Sequence, residues 1–246
     1  ETPTWILTLG QENIRRLSVT LLIDLLNLER DRSRAPDLTA DLATLAEDLL
    51  MAGDYEQVQR VVTALATRAA DQSAVAARAS RQALDRLAAS TAVREAAEAL
   101  GEMDDREADQ FGEICILCGP AAAEVLLPLV AVETPTRARG LASRIIVAMG
   151  APVVDRLGPL VKSPHWYVQR NAAELLGRIA TREAVPFLQP LLRSTDPRVV
   201  REAARGLAGI DDPAAARAVH MVLRTSAGEI RRAIVDALVA GRDPRV

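Results

Sequence analysis

Pro128, Pro159 and Pro190 stand 31 residues apart, and the same interval recurs in independent columns of the chain. Leu126, Leu157, Leu188 and Val219 precede each step by two residues. Leu129, Leu160, Leu191 and Val222 follow it by one, and Met221 takes the place of a fourth proline. Arg139, Arg170, Arg201 and Arg232 form another column. So do Ala142, Ala173, Ala204 and Val235, and so do Ile114, Ile145, Leu176, Leu207 and Leu238. Several columns sharing one period specify a repeat array, in which each unit buries its apolar face against its neighbours.

Each unit holds two apolar stretches at helical spacing with turn residues between them. In the best one, Val185, Leu188, Leu191 and Leu192 mark a first helix and Ser194-Thr195-Asp196-Pro197 a link. Val200, Ala203, Ala204, Leu207 and Ile210 mark a second helix. Asp196 is placed to cap that helix, and Pro197 suits its first turn, where a backbone N–H has no partner to lose. Asp211-Asp212-Pro213 opens the following unit the same way. The prolines at 128, 159 and 190 fall inside the first helices, so a shared bend is expected there. Alanine, the commonest residue, fits close helix contacts, whereas aromatic residues are 2% of the chain.

Going backward the repeat loosens. Ala92–Met103 with Asp104–Cys118 reads as a hairpin, and so does Tyr55–Ala69 with Gln72–Ala89. Pro36–Met51 and a long helix around Gln11–Asp31 have no 31-residue partner, and Arg30–Pro36 reads as a loop. The expected organisation is residues 1–91 as divergent, capping hairpins and 92–246 as the repeat array. The chain does not begin with Met, and Asp243-Pro244-Arg245-Val246 reads as another helix opening, so a piece of a longer polypeptide is expected.

The second helices carry a family resemblance. Asp196-Pro197-Arg198-Val199-Val200-Arg201-Glu202-Ala203-Ala204-Arg205-Gly206-Leu207 resembles the HEAT-repeat consensus, Gln169–Gly177 resembles it too, and Ile230–Leu238 resembles it more loosely. The stretch from His165 to Ala172 is similar to a segment of bacterial HEAT-repeat proteins. The resemblance implies an all-α fold, a right-handed α-solenoid of about seven antiparallel helix hairpins. It also implies a scaffold or adaptor that binds a protein partner on its concave face, in a bacterial cytoplasm.

Charge and motifs narrow the function. The chain has 30 Lys+Arg against 33 Asp+Glu, a net charge of −3, which disfavours a protein that coats nucleic acid. No apolar run reaches the roughly 18 residues a membrane span needs. There is no Gly-x-Ser-x-Gly, no Gly-rich phosphate loop and no His-Glu-x-x-His, so no enzymatic activity and no cofactor are expected. Cys115-Ile116-Leu117-Cys118 has the spacing of a redox or zinc pair. It aligns, however, with core positions late in a second helix, and the only histidines, His165 and His220, lie far along the chain. It reads as two small core residues.

Two features point to a partner surface. Stacking aligns the Arg139, Arg170 and Arg201 column into a stripe able to grip phosphates or acidic peptide segments, or to tie repeats together. The neighbouring column is mixed: Glu174, Arg205, Asp236. Trp166 and Tyr167 are adjacent in a chain with few rings, and aromatic and Arg residues are enriched in binding hot spots. Asn171 stands where other units have Gly140, Glu202 and Ala233. The expected contact set is Trp166, Tyr167, Arg170 and Asn171, flanked by Arg139 and Arg201. A nucleic-acid-binding solenoid and a bilin lyase-like or chaperone-type protein are the alternatives.

Overall fold

A computed structural model describes residues 4–28, 34–70 and 74–240. Asp243–Val246 and most of the Arg30–Pro36 loop, both singled out above, lie outside the described residues. Every regular element among the described residues is helical. The chain divides into two compact units, Glu1–Val125 and Leu126–Val246.

The first unit contains α1 (Thr4–Leu28), α2 (Ala35–Met51), α3 (Tyr55–Ala69), α4 (Ala74–Ala88), α5 (Thr91–Glu98) and α6 (Asp105–Cys118). Local sequence sets the helix starts. Asp54 accepts a hydrogen bond from the Gln57 N–H, and Ser90 accepts one from Val93. Asp104 and Glu107 form a reciprocal capping box at 2.8 and 3.1 Å. Val58, Val61, Val62 and Leu65 of α3 meet Leu42, Leu49, Leu87 and Ile114 in a fully buried core. α5 packs on α2, and α6 packs on α3. A hairpin is expected over residues 92–118, and each of its two helices packs mainly on an earlier helix. α5 has eight residues and ends in a 3-10 turn at Ala99–Gly101. The Phe111 ring of α6 instead seats edge-on against Tyr55 of α3, with centroids 6.4 Å apart. On α1, Val19 and Leu26 are buried, while Ile14, Leu17, Leu21, Leu25 and Leu28 are exposed.

The second unit follows α7 (Ala123–Val130), which straddles the division. It contains α8 (Arg137–Met149), α9 (Gly158–Val161), α10 (Trp166–Ile179), α11 (Val185–Leu191), α12 (Pro197–Ala208), α13 (Pro213–Thr225) and α14 (Gly228–Ala240). α10, α12 and α14 begin 31 residues apart. The second helices stack as α8, α10, α12 and α14, and the first helices as α9, α11 and α13. Asp196 and Asp212 cap α12 and α13 through the N–H groups of Arg198 and Ala214, each with proline in the next position.

The proline column acts more strongly than a bend. Pro128 and Pro190 sit inside short helices of eight and seven residues. Pro159, expected inside a helix, instead lies in the first turn of the four-residue α9, after a 3-10 stretch from Ala151 to Leu157. Proline there has no N–H to lose and restarts the helix. Where Met221 replaces the proline, α13 runs unbroken for 13 residues.

Candidate functional site

The α10–α12 contact is unusually close because both helices present glycine at it. A Cβ built on Gly177 would lie 2.7 Å from the Gly206 Cα, and one on Gly206 would lie 2.8 Å from the Gly177 Cα. This contact, with Ala173, floors a groove of about 490 Å³ along the second helices. Helical spacing supplies its walls. Arg170, Glu174 and Arg178 recur every four residues on α10, and Arg201 and Arg205 do so on α12. Glu202 and, from α8, Arg139 complete the lining.

Three of the six sequence-predicted residues, Arg139, Arg170 and Arg201, thus converge on one groove. Arg232, fourth in the column, is exposed on α14 and outside it. Arg139 Nη1 donates to the Glu133 carbonyl at 3.1 Å. Arg170 donates from Nε and Nη2 to Asn171 Oδ1 at 3.0 and 2.7 Å. Among the described residues, neither guanidinium lies within ion-pair distance of a carboxylate. The pairs that do form are Arg178–Glu174 at 3.9 Å, Arg201–Glu202 at 3.8 Å and Arg205–Glu202 at 3.2 Å. Burial raises the Glu202 carboxyl above its ordinary value, Arg205, Arg201 and Arg170 oppose that rise, and Glu174 adds to it.

Asn171 is not a contact residue as expected. It is 4% exposed, and its amide donates to the carbonyls of Val130 and Val132 at 2.8 and 2.9 Å. Those carbonyls lie at and just past the end of α7, where helical partners run out. Asn171 therefore ties α10 to an earlier repeat and orients Arg170 with its oxygen. Trp166 is half-buried beside the groove. The Arg198 guanidinium lies 3.3 Å from its ring centroid and that of Arg170 5.3 Å, so its π-face is occupied by cations. Tyr167 stacks on His165 at 5.3 Å and meets Trp166 edge-on. Arg198 in turn holds Asp196 by hydrogen bond, which pulls that carboxyl below its usual value.

Glu174, Arg178, Glu202 and Arg205 were absent from the expected set. For Glu174, Arg178 and Arg205 the signal was the four-residue spacing from Arg170 and Arg201, and Glu202 adjoins Arg201 in sequence. Cys115 and Cys118 are buried in α6. Burial pushes the Cys115 thiol far up and that of Cys118 up to about 12, so both stay protonated. Among the described residues, no three His, Cys, Asp or Glu side chains are grouped to share a metal, and no helix is long and apolar enough to cross a membrane.

Comparison with known proteins gives one partial family-model match and a set of structural likenesses. Residues 154–239 match the family model for HEAT repeats. Human deoxyhypusine hydroxylase is similar in structure at 16% identity, covering 93% of this chain and 97% of that one, with a TM-score of 0.40. A designed armadillo repeat protein is similar at 14% identity, with 90% and 99% coverage and a TM-score of 0.33. An archaeal HEAT-like repeats protein from Thermococcus onnurineus NA1 is similar at 14% identity, with 91% and 89% coverage and a TM-score of 0.29. No curated protein matches.

Proposed function

Residues 154–239 being HEAT repeats, we propose that the chain is a non-enzymatic scaffold or adaptor of the cytoplasm. It binds a protein partner on the face of the second unit formed by α8, α10 and α12. The observation that carries this reading is the convergence of Arg139, Arg170 and Arg201 on one groove. Trp166, Tyr167 and Asn171 act behind the contact surface: the two rings pack the α10 N-terminus, and Asn171 orients Arg170.

The test is affinity capture from native lysate with the wild-type chain and with an Arg139→Ala/Arg170→Ala/Arg201→Ala variant of equal helicity. The wild type should retain proteins that the variant loses. Identical retained sets from the two would end this reading.

A further inference from the structure

The groove is built to receive discrete negative charges. Five guanidinium groups line it against two carboxylates, in a chain whose total charge is −3. Arg139 and Arg170 hydrogen-bond neutral acceptors, a backbone carbonyl and an amide oxygen, so both are oriented without a direct ion pair, although Arg170 lies close enough to Glu202 to feel its charge. Each guanidinium has five N–H donors. The bonds already made use one donor of Arg139 and two of Arg170, so both keep a free edge for an incoming anion. Their side chains are also ordered before any ligand arrives, which lowers the entropic cost of binding.

The anion's chemistry follows from what else lines the groove. Guanidinium forks match carboxylates and phosphates alike. Glu174 and Glu202, however, stand among the arginines and would repel an uninterrupted phosphate backbone. A peptide tolerates that alternation, because it presents carboxylates at intervals and its N–H groups can donate to the two glutamates. The cavity of about 490 Å³ is of small-ligand size and floored by Ala173, Gly177 and Gly206. That suits one extended chain better than a duplex. The ion pairs at Arg178, Arg201 and Arg205 are partly exposed, with arginine side chains 43–49% accessible. Such pairs are weak and exchange readily for a ligand carboxylate.

We propose that this groove binds an extended acidic segment of a partner protein, with Asp or Glu side chains received by Arg139 and Arg170. The proposal rests on the scaffold reading above and names the chemistry of the partner.

Fluorescence anisotropy at low salt tests it, using a short labelled peptide of alternating Glu and Ser, its Gln-for-Glu counterpart and a thymidine oligonucleotide. The Glu peptide should bind at least about tenfold more tightly than the Gln peptide. Arg139→Ala/Arg170→Ala should weaken it by about tenfold or more. Arg170→Lys, which keeps the charge and loses the fork, should weaken it less. Glu174→Gln/Glu202→Gln should tighten it severalfold. Equal binding of the two peptides, no binding of either, tighter binding of the oligonucleotide, or indifference to these substitutions would each overturn the proposal. If captured partners depend on the arginines while the Glu peptide fails, the acidic segment is wrong and the scaffold surface stands. If the Glu peptide binds as described while capture is indifferent to the arginines, the scaffold reading is what fails.

Discussion

Replacing Gly177 with alanine should destabilise the second unit, although alanine is the better helix former. The new Cβ would stand 2.7 Å from the Gly206 Cα, where ordinary contact begins at 3.4 Å. The obstacle is backbone, so no side-chain rotation relieves it. α10 and α12 must separate by at least about 0.7 Å through a contact where Ala172, Ala173, Leu176, Ala203 and Leu207 are all buried. Overpacking of this kind costs about 1–3 kcal/mol, and a backbone obstacle on both sides puts the cost near the upper end. Helix propensity returns about 1 kcal/mol, leaving a net loss of about 2 kcal/mol. Gly140 is the control: it lies on α8, is exposed, and a Cβ there meets nothing within 4 Å. Gly140→Ala should therefore stabilise by up to about 1 kcal/mol. Urea unfolding followed by circular dichroism and tryptophan fluorescence reads both, as shifts in midpoint at constant slope. A Gly177→Ala protein as stable as Gly140→Ala would refute the close-contact argument.

Three further outcomes are expected from the same unfolding assay. Asn171→Ala leaves the Val130 and Val132 carbonyls without their amide donor and should cost about 1–3 kcal/mol; an unchanged midpoint would deny Asn171 its structural role. Asp196→Asn keeps a capping side chain but loses the charged bond to Arg198, and should be slightly destabilising at neutral pH. The folded chain holds the Asp196 carboxyl below its ordinary value, so its contribution is present above the unfolded value and lost as pH falls through the folded one. The gap between wild type and Asp196→Asn should therefore close in acid, and a constant gap would contradict the assignment. Glu202 is raised by burial, so the sign reverses: its contribution is lost as pH rises through the folded value, and above it burial works against the charged form. Glu202→Gln should be at least as stable as wild type there, and a clear loss would show that its pairs with Arg201 and Arg205 outweigh burial.

Much of the second unit was legible because its determinants are local or periodic. Asp196-Pro197 and Asp212-Pro213 start their helices within two residues of the cap, and the 31-residue columns set which helices stack. Pro159 was harder to read. A proline two residues into a helix and one in its interior look alike in sequence, and the 3-10 path of Ala151–Leu157 decides between them. The packing of α6 on α3 was hidden because it involves a contact between Phe111 and Tyr55, far apart in the chain. Asn171 was noticed as an exception to its column and given the wrong duty. The two carbonyls it serves, Val130 and Val132, lie an entire repeat earlier. Arg139, Arg170 and Arg201 stand out in sequence as a column, but the groove they line required knowing that Gly177 and Gly206 face each other.

Arg139 and Arg170, if they receive an acidic partner segment, should be shielded by it. The most direct measurement is arginine footprinting with a dicarbonyl reagent, read by mass spectrometry, with and without the Glu-containing peptide. The peptide should slow modification of Arg139, Arg170 and Arg201, while Arg94 and Arg217, both exposed and outside the groove, react as before. Equal protection at Arg94 and Arg217, or none at Arg139 and Arg170, would contradict the account.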